Sequence, residues 1–167
     1  MNRLFIMIGV SGSGKSTFIK NHLSSAVHIS RDEIRFSLLK EDDEYFAKED
    51  KVFSLFAKEI YHNLTLGKDV VADATHINPK SRARLLNRLP DSLKNQVEII
   101  AVYVNTSLET CIKQNENRKG KAYVPVDVIE KMHKSLIPPS FTENHKAFDS
   151  IITYENGKLT EELRKEF

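Results

Sequence analysis

The chain has 167 residues, which is enough for one domain with a substantial core and too few for two. Its mixed charges sum to a formal +2 at pH 7, too little to identify a nucleic-acid binder from bulk charge alone. The single cysteine, Cys111, excludes an internal disulfide and a cysteine-based zinc site, fits a reducing cytoplasm, and is expected to be a small buried hydrophobic side chain.

The first predicted strand is the apolar run at residues 4–8, which leads into a glycine-rich loop and then a helix. The run is too short to span a bilayer, and no small-residue cleavage site follows it. We therefore expect neither export nor a membrane anchor.

The loop at residues 9–17 matches the pattern G-x-x-x-x-G-K-[ST] in the strand–loop–helix context that this pattern requires. Three of the six glycines in the chain lie here, where backbone N–H groups can turn toward phosphate oxygens. Lys15 can reach the β- and γ-phosphates, and the Ser16 hydroxyl can ligate Mg²⁺. The pattern predicts binding of ATP, or another nucleoside triphosphate, with Mg²⁺. The predicted binding residues are Gly9, Ser11, Gly12, Ser13, Gly14, Lys15, Ser16 and Thr17.

A second strand is predicted at residues 26–30, followed at once by a short helix to residue 39. Asp32 lies just past this strand, where a carboxylate could accept a proton from an attacking hydroxyl; it could equally cap the helix. Arg35 lies about one turn further on and could face the same cleft, or be an ordinary surface arginine.

An acidic patch at residues 41–44 suits the start of a long amphipathic helix, because carboxylates favour the positive end of the helix dipole. Gly67 is expected to end this helix. Its predicted apolar face consists of Phe46, Val52, Phe53, Phe56, Ile60 and Leu64.

A third strand at residues 69–74 is apolar until Asp73, which is expected to need a cation or hydrogen bonds because an unpaired buried carboxylate is costly. Asn78, as the cap, and Pro79, at the first position, then predict the start of a helix that covers residues 80–89. Lys80, Arg84 and Arg88 recur at a spacing of four residues. This stripe could follow a phosphate backbone, although a solvated helix face is the commoner meaning.

The clearest strand is at residues 97–104, followed by a helix to about residue 117. A basic segment with Arg118, Lys119 and Lys121 suits a lid over the triphosphate, or an ordinary exposed loop. A helix at residues 126–136, a strand at 150–154, a turn at Asn156-Gly157 and a terminal helix at 159–167 complete the prediction.

Mostly apolar strands that alternate with helices predict an α/β fold: a single domain over residues 1–167, with a mainly parallel five-stranded sheet, helices on both faces and a lid at about residues 114–126. In such sheets, ligands bind at the carboxyl ends of the strands. The residues that follow Gly9, Ser30, Asp73 and Asn105 should therefore converge.

Residues 29–35, 71–79 and 122–129 resemble three successive motifs of the 5′-kinase domain of phage T4-type polynucleotide kinase, in the same order behind the same loop. The resemblance covers about residues 4–136 and implies a P-loop kinase fold. It also implies ATP- and Mg²⁺-dependent phosphorylation of the 5′-OH ends of DNA or RNA in a bacterial or phage-infected host cytoplasm.

The resemblance also implies a role for each matching residue. Asp32 is similar to the family's general base, and Arg35 to its contact with the phosphate next to the acceptor nucleoside. Asp73 is similar to its second essential acid, and Arg118 to its lid arginine. Lys15, Ser16 and Thr17 match the phosphate and Mg²⁺ positions.

Two features depart from the family pattern. Gln114, beside Lys113, stands where a second lid arginine is usual, and the spacing from Arg118 to Pro125 is one residue longer. No phosphatase domain follows, so phosphatase and ligase activities are expected on separate partners. Two other functions stay open: a P-loop kinase of a small alcohol, such as a nucleoside or sugar acid, and a nucleotide-binding switch without catalysis.

Overall fold

The computed structural model describes residues 1–145 and 147–166, apart from the side chain of Lys121. Its sheet has the strand order β2-β3-β1-β4-β5-β6, in which the first five strands are parallel and β6 is antiparallel to β5. The predicted, mainly parallel α/β sheet is confirmed, with six described strands in place of five. The strands are β1 (Asn2–Ile8), β2 (Val27–Ser30), β3 (Val70–Asp73), β4 (Val97–Asn105), β5 (Ser150–Glu155) and β6 (Lys158–Arg164).

Helices cover both faces of the sheet, because successive side chains along each buried strand point to opposite faces. Leu4 and Ile6 of β1 pack with the long third helix, whereas Phe5 and Met7 pack with the first helix. The helices are α1 (Lys15–His22), α2 (Arg31–Leu38), α3 (Glu49–Thr65), α4 (Pro79–Leu86), α5 (Asp91–Lys94), α6 (Leu108–Asn115) and α7 (Val126–Ser135). Within the described ranges, none of these helices is long and apolar enough to cross a membrane.

The predicted terminal helix at residues 159–167 is wrong for residues 159–166. Residue 167 lies outside the described range. β6 occupies this stretch and pairs with β5 through the two-residue turn Asn156-Gly157. Both turn residues have positive φ, 47° and 81°, as a tight hairpin turn requires. The turn reverses the chain and places this segment beside the open edge of β5.

The long third helix begins later than predicted. Residues 41–44 form a turn, and α3 starts at Glu49, after Phe46. The predicted apolar face is otherwise confirmed, because the other five members are buried. Phe46 is the exception, with 63% of its surface exposed. Gly67 follows the helix with φ +77°, as expected for a helix end.

A buried ion pair fastens the segment after α7 to α4. Arg82 of α4 is fully buried, and its guanidinium donates to both carboxylate oxygens of Glu143 at 2.9 and 2.8 Å. It also donates to the carbonyl oxygens of His76 and Ile137, at 2.8 and 3.0 Å. This single side chain therefore joins the end of β3, α4 and residues 137–143.

Candidate active site

The glycine-rich loop is braced from two sides. The Thr106 hydroxyl, just after β4, donates to the carbonyl oxygen of Ser13 at 2.6 Å. Ser11 Oγ lies 3.7 Å from the sulfur of Met132 in α7. Gly12 and Gly14 have φ of +81° and +101°, and Gly14 is the N-cap of α1. These values turn successive backbone N–H groups toward one side, which is the shape of an anion-binding nest.

Gly12 is the least replaceable glycine of the loop. A Cβ at this position would collide with the Cys111 carbonyl, whose carbon would lie at 3.1 Å. The predicted burial of Cys111 is confirmed, so α6 has little freedom to retreat.

We expect Gly12→Ala to lower the free energy of unfolding by roughly 2 kcal/mol or more, because left-handed strain adds to a backbone collision. Gly67→Ala is the matched control. Gly67 also has a positive φ, but a Cβ there would meet nothing within 4 Å. Urea unfolding of both variants measures the difference, and equal losses would contradict the crowding at Gly12.

The loop fits a triphosphate with Mg²⁺. A Cβ on Gly9 would lie 2.7 Å from Ser13 Oγ, so only glycine leaves this space open. Ser13 Oγ is buried and has no hydrogen-bond partner in the described part of the chain. Ser16 and Thr17 are exposed in the first turn of α1, next to the helix N-terminus. Ser16, at the position that the loop pattern gives to the metal ligand, would hold Mg²⁺ together with the phosphates.

Lys15 is the point on which the predicted residues converge. Its Nζ donates to the carbonyl oxygens of Gly9 and Val10, at 2.8 and 3.1 Å. Burial lowers the pKa of Lys15; nearby Asp73 and Asp32 oppose this shift, and the Arg118 guanidinium adds to it. The two predicted acids and the predicted lid arginine therefore lie within electrostatic range of the phosphate-loop lysine.

The helix-cap interpretation of Asp32 is wrong. Ser30 caps α2, because its Oγ accepts a hydrogen bond from the backbone N–H of Glu33 at 3.2 Å. The Asp32 side chain is half-exposed in the first turn, where it is ion-paired with Arg35. Its Oδ1 also accepts a hydrogen bond from the Tyr45 hydroxyl at 3.3 Å. Asp32 therefore does not cap the helix, and its carboxylate is accessible to solvent. Its role as a base stays a prediction.

Arg35 is buried, so the interpretation as a surface arginine is wrong. Its Nε and Nη2 donate to the two carboxylate oxygens of Glu49, at 3.0 and 2.8 Å. Its Nη1 donates to Asp32 and, at 3.0 Å, to the Tyr45 hydroxyl. Four of its five N–H groups are therefore engaged within the described residues. A phosphate would have to use the fifth, or displace one of these partners.

Asp73 has the partner that its position required. His28 Nε2 lies 2.7 Å from Asp73 Oδ2, and the Asp73 side chain is only 12% exposed. The hydrogen bond from His28 to Asp73 raises the pKa of the imidazole. Sequence reasoning did not select His28, although alternation along β2 places it on the same face as Ser30, which is paired with Asp73 in the sheet.

The predicted lid lies between α6 and α7. Asn115 is fully buried at its base, where its side chain donates to the Val124 carbonyl at 2.6 Å and accepts from the Val124 N–H at 3.0 Å. Gln114 lies over the loop, since its Oε1 would be 4.0 Å from a Cβ on Gly14. Lys113 and Lys119 are exposed, and the Lys121 side chain lies outside the described residues. Gln114, one of the two candidates for the second lid arginine's place, is therefore near the loop.

The predicted cationic stripe is not simply a solvated helix face, because two of its three side chains lie against an aromatic ring. The guanidinium carbons of Arg84 and Arg88 lie 3.8 and 5.4 Å from the centroid of the Phe53 ring. Arg31, next to Asp32, lies 5.5 Å from the same centroid. Lys80 is exposed on α4. The three guanidinium groups around this ring are called the Phe53 cluster; Arg31 is also ion-paired with Glu49 at 2.5 Å, and Arg84 lies 3.9 Å from Asp50.

A family model described as an AAA domain matches residues 4–139. Residues of this chain are 24% identical over 148 positions to an Autographa californica nuclear polyhedrosis virus protein named as a bifunctional polynucleotide kinase/RNA ligase. The match covers 81% of this chain and 21% of the viral protein. The chain thus spans about a fifth of that relative's length.

Two solved structures have the same fold. A chain of the Pnkp1/Rnl/Hen1 RNA repair complex superposes with a TM-score of 0.68 at 21% identity, over 86% of this chain and 50% of the other. A sugar kinase from Janibacter sp. HTCC2649 superposes with a TM-score of 0.61 at 15% identity, over 93% and 86%. At these identities the structures show the shared P-loop kinase fold.

Proposed function

Since the chain belongs to the AAA domain family and is a P-loop kinase of the polynucleotide kinase type, we propose that it transfers the γ-phosphate of ATP to the 5′-OH end of DNA or RNA. One observation carries the proposal: Asp32, Asp73 and Arg118 all lie within electrostatic range of Lys15. An accessible carboxylate, an anchored acid and two cations are the groups that phosphoryl transfer to an alcohol needs.

In the proposed reaction, Asp32 accepts the proton of the 5′-OH as the 5′-oxygen attacks the γ-phosphorus. The bond from that phosphorus to the bridging oxygen of ADP breaks in line with the attack. Lys15, the loop N–H groups and Arg118 neutralise charge on the moving phosphoryl group. Mg²⁺, held by Ser16, would neutralise charge on the β- and γ-oxygens.

We assign Asp73 and Arg35 to positioning: they orient or stabilise other groups and take no part in the transfer itself. Asp73 is fixed by His28 and favours the charged form of Lys15. Arg35 is fixed by Glu49 and in turn holds the Asp32 carboxylate through an ion pair. Its remaining N–H can serve the first acceptor phosphate.

The Phe53 cluster favours a polyanionic acceptor. Three guanidinium groups beside Asp32 would lie along the next phosphates of a strand. The sugar kinase with the same fold supports a second candidate, phosphorylation of a small alcohol. For that acceptor the cluster would have no use. The product of the first reaction, a 5′-phosphate end, is a substrate for a nucleic acid ligase, so a ligase is a proposed partner, as is a phosphatase.

An acceptor panel with labelled ATP and Mg²⁺ tests the proposal. We expect labelling of DNA or RNA oligonucleotides with a 5′-OH, and none of the same oligonucleotides with a 5′-phosphate, a nucleoside or a sugar acid. The apparent affinity for the oligonucleotide should fall steeply with salt, because binding releases counterions. Replacing Arg84 and Arg88 together with alanine should reduce that log–log slope by roughly 1.4 for a single strand.

A flat salt response, with labelling of a sugar acid instead, would identify the small-alcohol kinase. Lys94→Ala with Lys68→Ala is the matched control for the double variant, since it removes two cations away from the Phe53 cluster. That control should keep the slope of the unaltered protein.

A further inference from the structure

Phe46 is an exposed aromatic ring beside the proposed acceptor site. It lies in the segment between α2 and α3, and 63% of its surface is exposed. The neighbouring Tyr45 is half-buried, and its hydroxyl contacts both Asp32 and Arg35. Phe46 is therefore one residue away from a side chain that touches the proposed base.

The two rings and the arginine form one platform. The centroids of Tyr45 and Phe46 are 4.6 Å apart, with the ring planes at 81°. The guanidinium carbon of Arg35 lies 4.6 Å from the Tyr45 centroid and 5.6 Å from that of Phe46. Phe36 supports Tyr45 from behind, at 6.2 Å between centroids. Because Arg35 is itself fixed by Glu49, the position of the Phe46 ring is defined although its face is open to solvent.

The charges around the ring limit what can cover it. Glu41, Asp42 and Glu44 are exposed in the same segment, and carboxylates repel a phosphate backbone. An uncharged, planar group meets no such repulsion and gains from contact with an aromatic face. The strand's phosphates would instead follow the guanidinium groups of the Phe53 cluster.

We infer that Phe46, supported by Tyr45, is a stacking platform for the 5′-terminal base of the acceptor. This inference rests on the proposed function, which places the 5′-OH of the acceptor at Asp32. The platform makes the enzyme require a base at the end of the strand, in addition to the 5′-OH. Stacking on an aromatic side chain tolerates any of the four bases, so end recognition would be independent of sequence.

The test compares two single-stranded acceptors, identical except that one carries an abasic 5′-terminal sugar with its 5′-OH. For the unaltered protein we expect a KM for the intact acceptor roughly 5- to 150-fold below that for the abasic one. Phe46→Ala should bring this ratio close to one. Phe46→Tyr and Phe46→Trp should restore it, since each supplies a flat ring.

Leu159→Ala is the matched control, because Leu159 is an equally exposed apolar side chain on β6, away from the site. It should keep the full ratio. If Phe46→Ala keeps the ratio too, or raises KM equally for both acceptors, the stacking proposal is wrong. The proposed kinase function is then unaffected. If the unaltered protein labels neither acceptor, the proposed function fails, and the platform fails with it.

Discussion

Asp32→Ala is expected to lower kcat for 5′-end phosphorylation by roughly 10²- to 10⁴-fold, the usual contribution of a positioned base. ATP affinity should change little, because the triphosphate is held by the loop N–H groups and Lys15 rather than by this carboxylate. The folded structure should also persist, since Asp32 is half-exposed and Ser30, not Asp32, caps α2.

Asp32→Asn separates proton transfer from positioning. Asparagine keeps an oxygen for Arg35 and Tyr45 but cannot accept a proton at neutral pH. If Asp32 is the base, both variants should lose activity to a similar extent. Glu33→Gln is the control, because Glu33 is the next exposed carboxylate on the same helix. Single-turnover transfer from labelled ATP gives the rate, and full activity of Asp32→Asn would remove the proposed mechanism.

Arg82→Ala should have the largest effect on stability. We expect the free energy of unfolding to fall by roughly 3–5 kcal/mol, because the buried Glu143 carboxylate loses its counter-charge and keeps the Ser140 N–H and the Asn144 amide as donors. Glu143 would lose both of its bonds to the guanidinium, and the carbonyl oxygens of His76 and Ile137 would lose a donor. Urea unfolding followed by circular dichroism measures the loss.

Arg84→Ala provides the comparison for this variant. It lies two residues away on the same helix, half-exposed, and its ion pair with Asp50 is long at 3.9 Å. Its removal should cost about 1–2 kcal/mol, because the weak ion pair and the contact with the Phe53 ring are both lost. Arg82→Met combined with Glu143→Leu should recover much of the loss, since apolar replacement of a whole buried pair is often neutral. A double variant as unstable as Arg82→Ala would show that shape, not charge, governs this site.

Local patterns were sufficient to predict most of the sheet and the loop. Apolar runs marked β1 and β4, and the Asn78 cap with Pro79 at the first helical position is confirmed. The glycine pattern predicted the loop before α1, because the residues that would bind the phosphates are adjacent in the sequence. A parallel sheet also implies that residues beyond the carboxyl ends of its strands converge, whereas the order of the strands was not predicted.

Residues whose partners are distant in sequence could not be predicted in this way. Arg82 was not part of the predicted stripe and was not selected, although Leu85 and Leu86, three and four residues on, mark its face as buried. Its partner Glu143 is 61 residues away. Arg35 likewise depends on Glu49, which the sequence assigned to the interior of a helix rather than to its first turn. Short-range spacing carries no information about such pairs.

The central place of β1 in the sheet has a consequence for how this molecule can change. β3 and β2 lie on one side of it, and β4 and β5 on the other. The proposed acceptor groups follow β2 and β3, whereas the arm that would close over the donor follows β4. Selection or engineering could therefore change the segments that follow β2 and β3 and redirect the kinase to a different alcohol, with its use of ATP inherited intact.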